Sequence, residues 1–326
     1  PARERGARGA SAMRLSAAGC LRRGWTNLSA NWELVLLQWL QSFAVMTLMA
    51  LGVFLSLLIV GANLLRTDWS AVHELQQQAS RLSPALLLAL AALLAVWLSS
   101  LLLHCYFQAG TFGILIAADR QALPGARRHR DFFRTFSLRD FLGWGGRYVW
   151  RFFGVLAVFG ILLFGLGGAA LLWLLSTAVG GGQWGGPAAL GIGCGGALPL
   201  GFLALVAGFW LHLAQADLAR DGSGVRAASR RGLAVLGRRL GAVIALFLLT
   251  LVAALALAAL FILLATAADA LLAGAPLPRT LVRFLLLLLQ SLPNTLLATL
   301  LAGALVALVR SETPSEIRRN PEVQTA

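Results

Sequence analysis

The sequence predicts an all-α integral membrane protein with six transmembrane helices, both termini on the cytoplasmic side, and three amphipathic helices lying at that interface. Three observations lead there. The chain has 326 residues, of which 59% are hydrophobic and only 12% charged, and a mean hydropathy of +0.79. A soluble domain of this size has too little interior to hide that much apolar side chain. The apolar residues fall into six long runs, and the arginines between them alternate from dense to sparse.

An apolar helix needs roughly 20 residues to cross the hydrocarbon core. Runs at 34–65, 85–118, 149–179, 190–219, 240–268 and 281–309 meet that length. None alternates with period two, so a β-barrel is excluded. Segments 1–33 and 310–326 then form a basic arm with its interfacial helix and a tail, both in the cytoplasm. No cleavable signal peptide is expected, because the first apolar run is too long for one.

Orientation follows from arginine, since the 27 basic residues include no lysine. Arginines crowd the segment before the first run (Arg14, Arg22, Arg23), the second-to-third link (Arg120 to Arg147), the fourth-to-fifth link (Arg220 to Arg239) and the tail. The other links hold Arg66 and Arg81, none, and Arg279 and Arg283. Positive-inside placement puts both ends in the cytoplasm. Arginine without lysine, amid abundant Ala, Gly and Leu, reads as the coding bias of a GC-rich bacterium and hence as an inner-membrane protein.

Before each odd-numbered run lies an amphipathic stretch. Leu15, Ala18, Leu21, Trp25, Leu28 and Trp32 recur at helical spacing in the first. Phe133, Phe136, Phe141, Trp144 and Tyr148 are interleaved with Arg134, Arg139 and Arg147 in the second. Val225, Ala228, Leu236 and Leu240 oppose Arg226, Arg230 and Arg231 in the third. Such helices rest in the interface with arginines at the headgroups. The chain thus reads as three copies of interfacial helix, span, short loop, span. This is either a true internal repeat or the layout any such protein shows.

The link QADLARDGSGVRAASRRGLAVL, from Gln215 through Asp217, Arg220, Asp221, Gly224, Arg226 and Ser229 to Arg231 and beyond, resembles that of bacterial six-span families related to the membrane domain of glycerophosphodiester phosphodiesterases. The resemblance implies a six-span fold and carries over no catalytic residues. The soluble barrel of some such proteins has no counterpart in this sequence.

Chemistry is scarce. No H-E-x-x-H, G-x-S-x-G or phosphate loop is present, and Cys20, Cys105 and Cys194 have neither disulfide nor metal spacing. Neither a metal nor another cofactor is expected, and the chain is read as not an enzyme. An intramembrane acid–base set of His104, His212, Asp119 and Asp217 is the residual catalytic alternative. The glycines at 165–168 and 191–196, with Gly191 and Gly195 as a G-x-x-x-G pair, read as close helix packing. The middle of every run lacks Asp, Glu and Arg, which argues against a proton-coupled pump.

Two groups remain as candidate sites. His104, Gln108, His212, Gln215, Gln290 and Asn294 form a candidate intramembrane polar cluster, either interhelical glue or the lining of a cavity. Arg134, Arg139, Arg226, Arg230 and Arg231 are candidate contacts for lipid headgroups. The net charge of +14 is assigned to anionic lipid at the cytoplasmic face and not to nucleic acid. A protein partner or a homo-oligomer is a further expectation. The function these features imply is a non-enzymatic, lipid-interacting or membrane-complex accessory module, with a permease-like carrier for a lipid or other amphiphile as the alternative.

Overall fold

A computed structural model describes residues 15–65, 75–122, 130–180 and 186–311, without the side chains of 63–83, 85, 166 and 169–200. Within these the fold is all helical: α1 (Ala17–Ala30), α2 (Glu33–Leu65), α3 (Leu75–Gln121), a 3-10 turn at Arg130–Phe133, α4 (Leu138–Gly180), α5 (Gly186–Asp221), α6 (Val225–Leu271) and α7 (Pro276–Ser311). The six helices α2 to α7 are each long and apolar enough to cross a membrane.

Consecutive long helices pack as antiparallel neighbours, and α7 returns to α2, closing a ring. Inside it α3, α5 and α7 each touch the other two. The result is a pseudo-threefold bundle: α3, α5 and α7 surround the axis, and α2, α4 and α6 fill the gaps between them. The C-termini of the three inner helices meet at one end, together with most of the described arginines.

Packing is concentrated at that arginine-rich end. Phe112, Leu115, Leu213, Leu218, Leu305 and Leu308 are fully buried there, whereas Val252, Leu255, Ile262, Leu263, Leu287 and Leu289 are all exposed. Exposed aliphatic faces of that length have no stable counterpart in water and match a hydrocarbon solvent.

Of the three expected interfacial helices, the first stands apart, the third is set off from its span by a kink, and the second is continuous with its span. α1 starts at Ser16, whose hydroxyl caps the Gly19 amide at 3.2 Å, and ends at Asn31, where the backbone leaves helical geometry. In the second copy the helix begins at Leu138 and runs unbroken into its span. In the third, two helical segments of α6 meet at Arg239, whose backbone is not helical (φ −125°, ψ 23°), one residue before the expected start of the span. The second stretch holds no proline to end its helix, and glycines alone weaken a helix without breaking it.

Each copy lies against the inner helix preceding it in the ring. In α1, a Cβ on Gly24 would stand 2.6 Å from the Ala304 amide nitrogen of α7. In α6, a Cβ on Gly232 would stand 2.8 Å from the Ala214 amide nitrogen of α5. Ala304 and Ala214 each lie six residues before an arginine, Arg310 and Arg220. In α4 the roles invert: Phe141 and Trp144 fill the grooves left by Gly110 and Gly113 of α3. The G-x-x-x-G pair Gly191 and Gly195 falls outside the described side chains, as do His73, His129 and Cys194.

Candidate functional site

The inner helices end in matching pairs four residues apart: Ile116 and Arg120 on α3, Ala216 and Arg220 on α5, Val306 and Arg310 on α7. Their arginines form a cycle. Arg120 donates to the Arg220 carbonyl, Arg220 donates to the Val309 carbonyl at 3.5 Å, and Arg310 reaches Asp119 of α3 at 2.6 Å. Each link ties one inner helix to the next. Helix C-termini leave carbonyls unsatisfied and carry partial negative charge, so cations are stabilised there.

Buried acids complete the arrangement. Asp119, 2% exposed, takes Arg23 of α1 at 2.5 Å on its other oxygen. Asp217, 1% exposed, is held by Arg220 at 2.8 Å and by Arg231 of α6 at 2.9 Å. Asp221 pairs with the same two arginines, at 2.8 and 3.2 Å. Arg23 and Arg231 occupy equivalent places, one residue before the docking glycines Gly24 and Gly232. The sequence reads Arg-Arg-Gly in both.

Between α5 and α6 the chain turns through Gly222, whose positive φ of 63° is a left-handed conformation glycine adopts without penalty. Arg151 of α4 donates to the Gly222 carbonyl and stacks over Tyr148 at 5.6 Å. Glycine in this turn therefore serves both chain reversal and attachment to α4.

A buried amide network joins α1 to the 3-10 turn. Asn31 donates to the Phe133 carbonyl at 2.7 Å and accepts from the Thr135 and Phe136 amides at 3.0 and 2.9 Å. Asn27 donates to the Leu115 carbonyl at 2.8 Å. Nearby, Cys20 is fully buried; burial pushes its thiol up to about 11, against the opposing pull of the Arg239 and Arg23 charges. It stays a neutral thiol at physiological pH.

The predicted polar residues separate into smaller sets. His104 of α3 contacts Gln41 of α2 at 3.4 Å. His212 of α5 bonds Gln215 one turn on at 3.2 Å and stacks against Phe112 with ring centroids 6.3 Å apart. Gln108 is half-buried on α3; Gln290 is half-buried and Asn294 exposed on α7, and none of the three is hydrogen-bonded to either histidine. Among the described residues, no three metal-ligating side chains come together. Asp119 and Asp217 are held by arginines and do not contact His104 or His212.

Of the predicted headgroup contacts, Arg139, Arg226 and Arg230 are exposed without an acidic partner among the described residues. Arg134 is instead tied to Glu33 at 2.5 Å and to the Ala30 carbonyl at 2.7 Å. Arg231 is bound to Asp217 and Asp221, as above.

The arginine cycle and the Asn27–Asn31 network were not singled out from sequence. The signal for the first was present: Arg120, Arg220 and Arg310 each follow an apolar run and sit four residues after Ile116, Ala216 and Val306. The asparagines carried none, because an amide in an amphipathic stretch looks the same whether it faces water or another helix.

No protein-family model, no curated protein and no solved structure matches the chain.

Proposed function

We propose that this chain is a non-enzymatic inner-membrane protein of a bacterium, with both termini in the cytoplasm, which binds anionic lipid headgroups at its arginine-rich end. In this role it serves as a lipid-interacting or membrane-complex accessory module. Positive-inside asymmetry supports the orientation, and the fourth-to-fifth link supports kinship with the phosphodiesterase-associated membrane domains.

The observation that carries the reading is the division of charge at that end. Asp119, Asp217, Asp221 and Glu33 are all engaged by arginines of the bundle, so their charge is consumed internally. Arg22, Arg139, Arg226 and Arg230 remain exposed, beside exposed Trp25, Trp32 and Trp150. Cationic side chains flanked by amphipathic rings are what an anionic headgroup layer attracts. Each arginine near such a surface contributes on the order of 1 kcal/mol.

The test is retention of phosphatidylglycerol against phosphatidylcholine, read by native mass spectrometry after gentle extraction. The triple variant Arg139→Gln/Arg226→Gln/Arg230→Gln is expected to lose the preference for the anionic lipid. Equal retention of both lipids by the unaltered protein would sink the reading. The rival, a carrier for a lipid or other amphiphile, draws on the polar contacts of His104 with Gln41 and of His212 with Gln215 inside the apolar helices. Lipid flux into vesicles that is abolished by His212→Ala would favour it.

A further inference from the structure

On the pseudo-threefold axis, where α3, α5 and α7 end, an open recess of about 250 Å³ is bordered by Arg120, Arg220 and Arg310 and floored by Ile116, Ala216 and Val306. We propose that this recess is a binding site for a single phosphate group, carried either by a lipid headgroup or by a free anion. It lies apart from the outward arginines and does not rest on the lipid contacts attributed to them.

The argument begins with charge. Five arginines (Arg23, Arg120, Arg220, Arg231 and Arg310) surround three carboxylates (Asp119, Asp217 and Asp221), an excess of positive charge. The three helix C-termini, at about half a charge each, offset roughly three quarters of the excess among these described residues, so the placement of the charges decides the matter. What remains is unevenly placed. Arg220 and Arg231 are matched by Asp217 and Asp221, whereas Arg310 shares Asp119 with Arg23. Arg120, exposed at the rim, donates only to a carbonyl.

Geometry adds the second part. A guanidinium presents five N–H groups in a fixed fork that suits phosphate oxygens. Arg120 and Arg310 each use one nitrogen in the bonds described and approach the recess from different helices. At roughly 30 Å³ per water the recess has room for about eight waters, enough for a phosphate and its bridging atoms. Its aliphatic floor lowers the local dielectric, which strengthens charge-assisted bonds made above it. Asp221, also on the wall, is held by Arg220 and Arg231 and does not confront the anion alone.

The experiment measures thermal unfolding of the purified full chain in neutral detergent, titrated with inorganic phosphate against sodium chloride of matched ionic strength. Native mass spectrometry with phosphatidylglycerol and phosphatidylcholine runs beside it. The key variant is Arg120→Gln, which breaks no ion pair and is checked for unaltered helicity. A saturable gain in Tm with phosphate, weakened roughly tenfold or more in midpoint by Arg120→Gln and kept by the Arg139/Arg226/Arg230 triple variant, supports the site with a free anion as source. No effect of phosphate, but one retained phosphatidylglycerol that Arg120→Gln releases and the triple variant keeps, supports the site with a lipid source. No phosphate effect and no Arg120-dependent lipid would overturn the proposal and leave the three arginines as helix C-caps.

Discussion

The first and third copies of the threefold unit dock by a different physical means from the second. α1 and the start of α6 each bring an Arg-Arg-Gly triplet to an inner helix, backbone against backbone, and the arginine before the glycine reaches a buried aspartate. α4 brings aromatic rings instead, seated on the glycines of α3 with no ion pair at the contact. Close approach recurs in all three, with glycine against backbone in the first and third and glycine against aromatic rings, on both helices, in the second: Gly110 and Gly113 of α3 and Gly145 of α4, which meets Tyr106. A polar, backbone-limited joint cannot yield when crowded, whereas the Phe141 ring edge over Gly110 can turn; at Gly113 the near end of the Trp144 side chain leaves no such freedom.

That difference can be broken from either side. The largest effect is expected for Asp119→Asn, which leaves Arg23 and Arg310 without their shared counter-charge; about 3 kcal/mol of stability should be lost, measured by thermal or denaturant unfolding in detergent. Gly24→Ala comes next, at about 2 kcal/mol, because the new methyl meets the α7 backbone. The same variant should open Cys20 to alkylation at pH 8, a direct report that α1 has lifted; continued protection would show that the joint can yield. Gly110→Ala should cost less, about 1 kcal/mol, since the atoms it meets are the far edge of the Phe141 ring. Gly165→Ala, on an exposed face of α4 with nothing within 4 Å, should be neutral or gain about 0.5–1 kcal/mol. If Gly110→Ala proved costlier than Gly24→Ala, the distinction between rigid and adaptable joints would fall.

Much of the architecture was legible in the sequence because hydrophobic run length reports directly on helices of membrane-spanning length. The six long apolar helices follow from it. Helix continuity was less visible. The amphipathic stretch around Phe141 differs from its span in composition yet runs into it unbroken, whereas the one around Leu236 is set off by the kink at Arg239. The break at Asn31 works through long-range bonds to Phe133, Thr135 and Phe136 that no local pattern announces.

The candidate site was legible only in pieces. Asp119 and Asp217 were seen at the inner ends of their runs, and Arg120, Arg220 and Arg310 were counted as orientation signals. Their cycle appears only when three segments separated by 90 to 100 residues converge, and a charge in a link carries no record of what lies across the axis. Gln290 and Asn294, four residues apart on α7, make no hydrogen bond to His104 or His212, because spacing along one helix fixes neighbours on that helix and says nothing about its rotation against the others.

Because α1 rests on α7, α1 is synthesised long before the helix on which it docks. Nearly the whole chain separates Gly24 from Gly303, an interval on the order of 15–60 s at ordinary rates of synthesis. Arg23 can meet Asp119 early in that interval, but Asp119 lacks Arg310 and Gly24 lacks its seat on α7 until the end of it. α1 is thus a clasp fastened only after α7 has been made. Ribosome-arrested chains that stop before Gly303 should still expose Cys20 to alkylation, and protection at that stage would mean α1 had found its seat without α7.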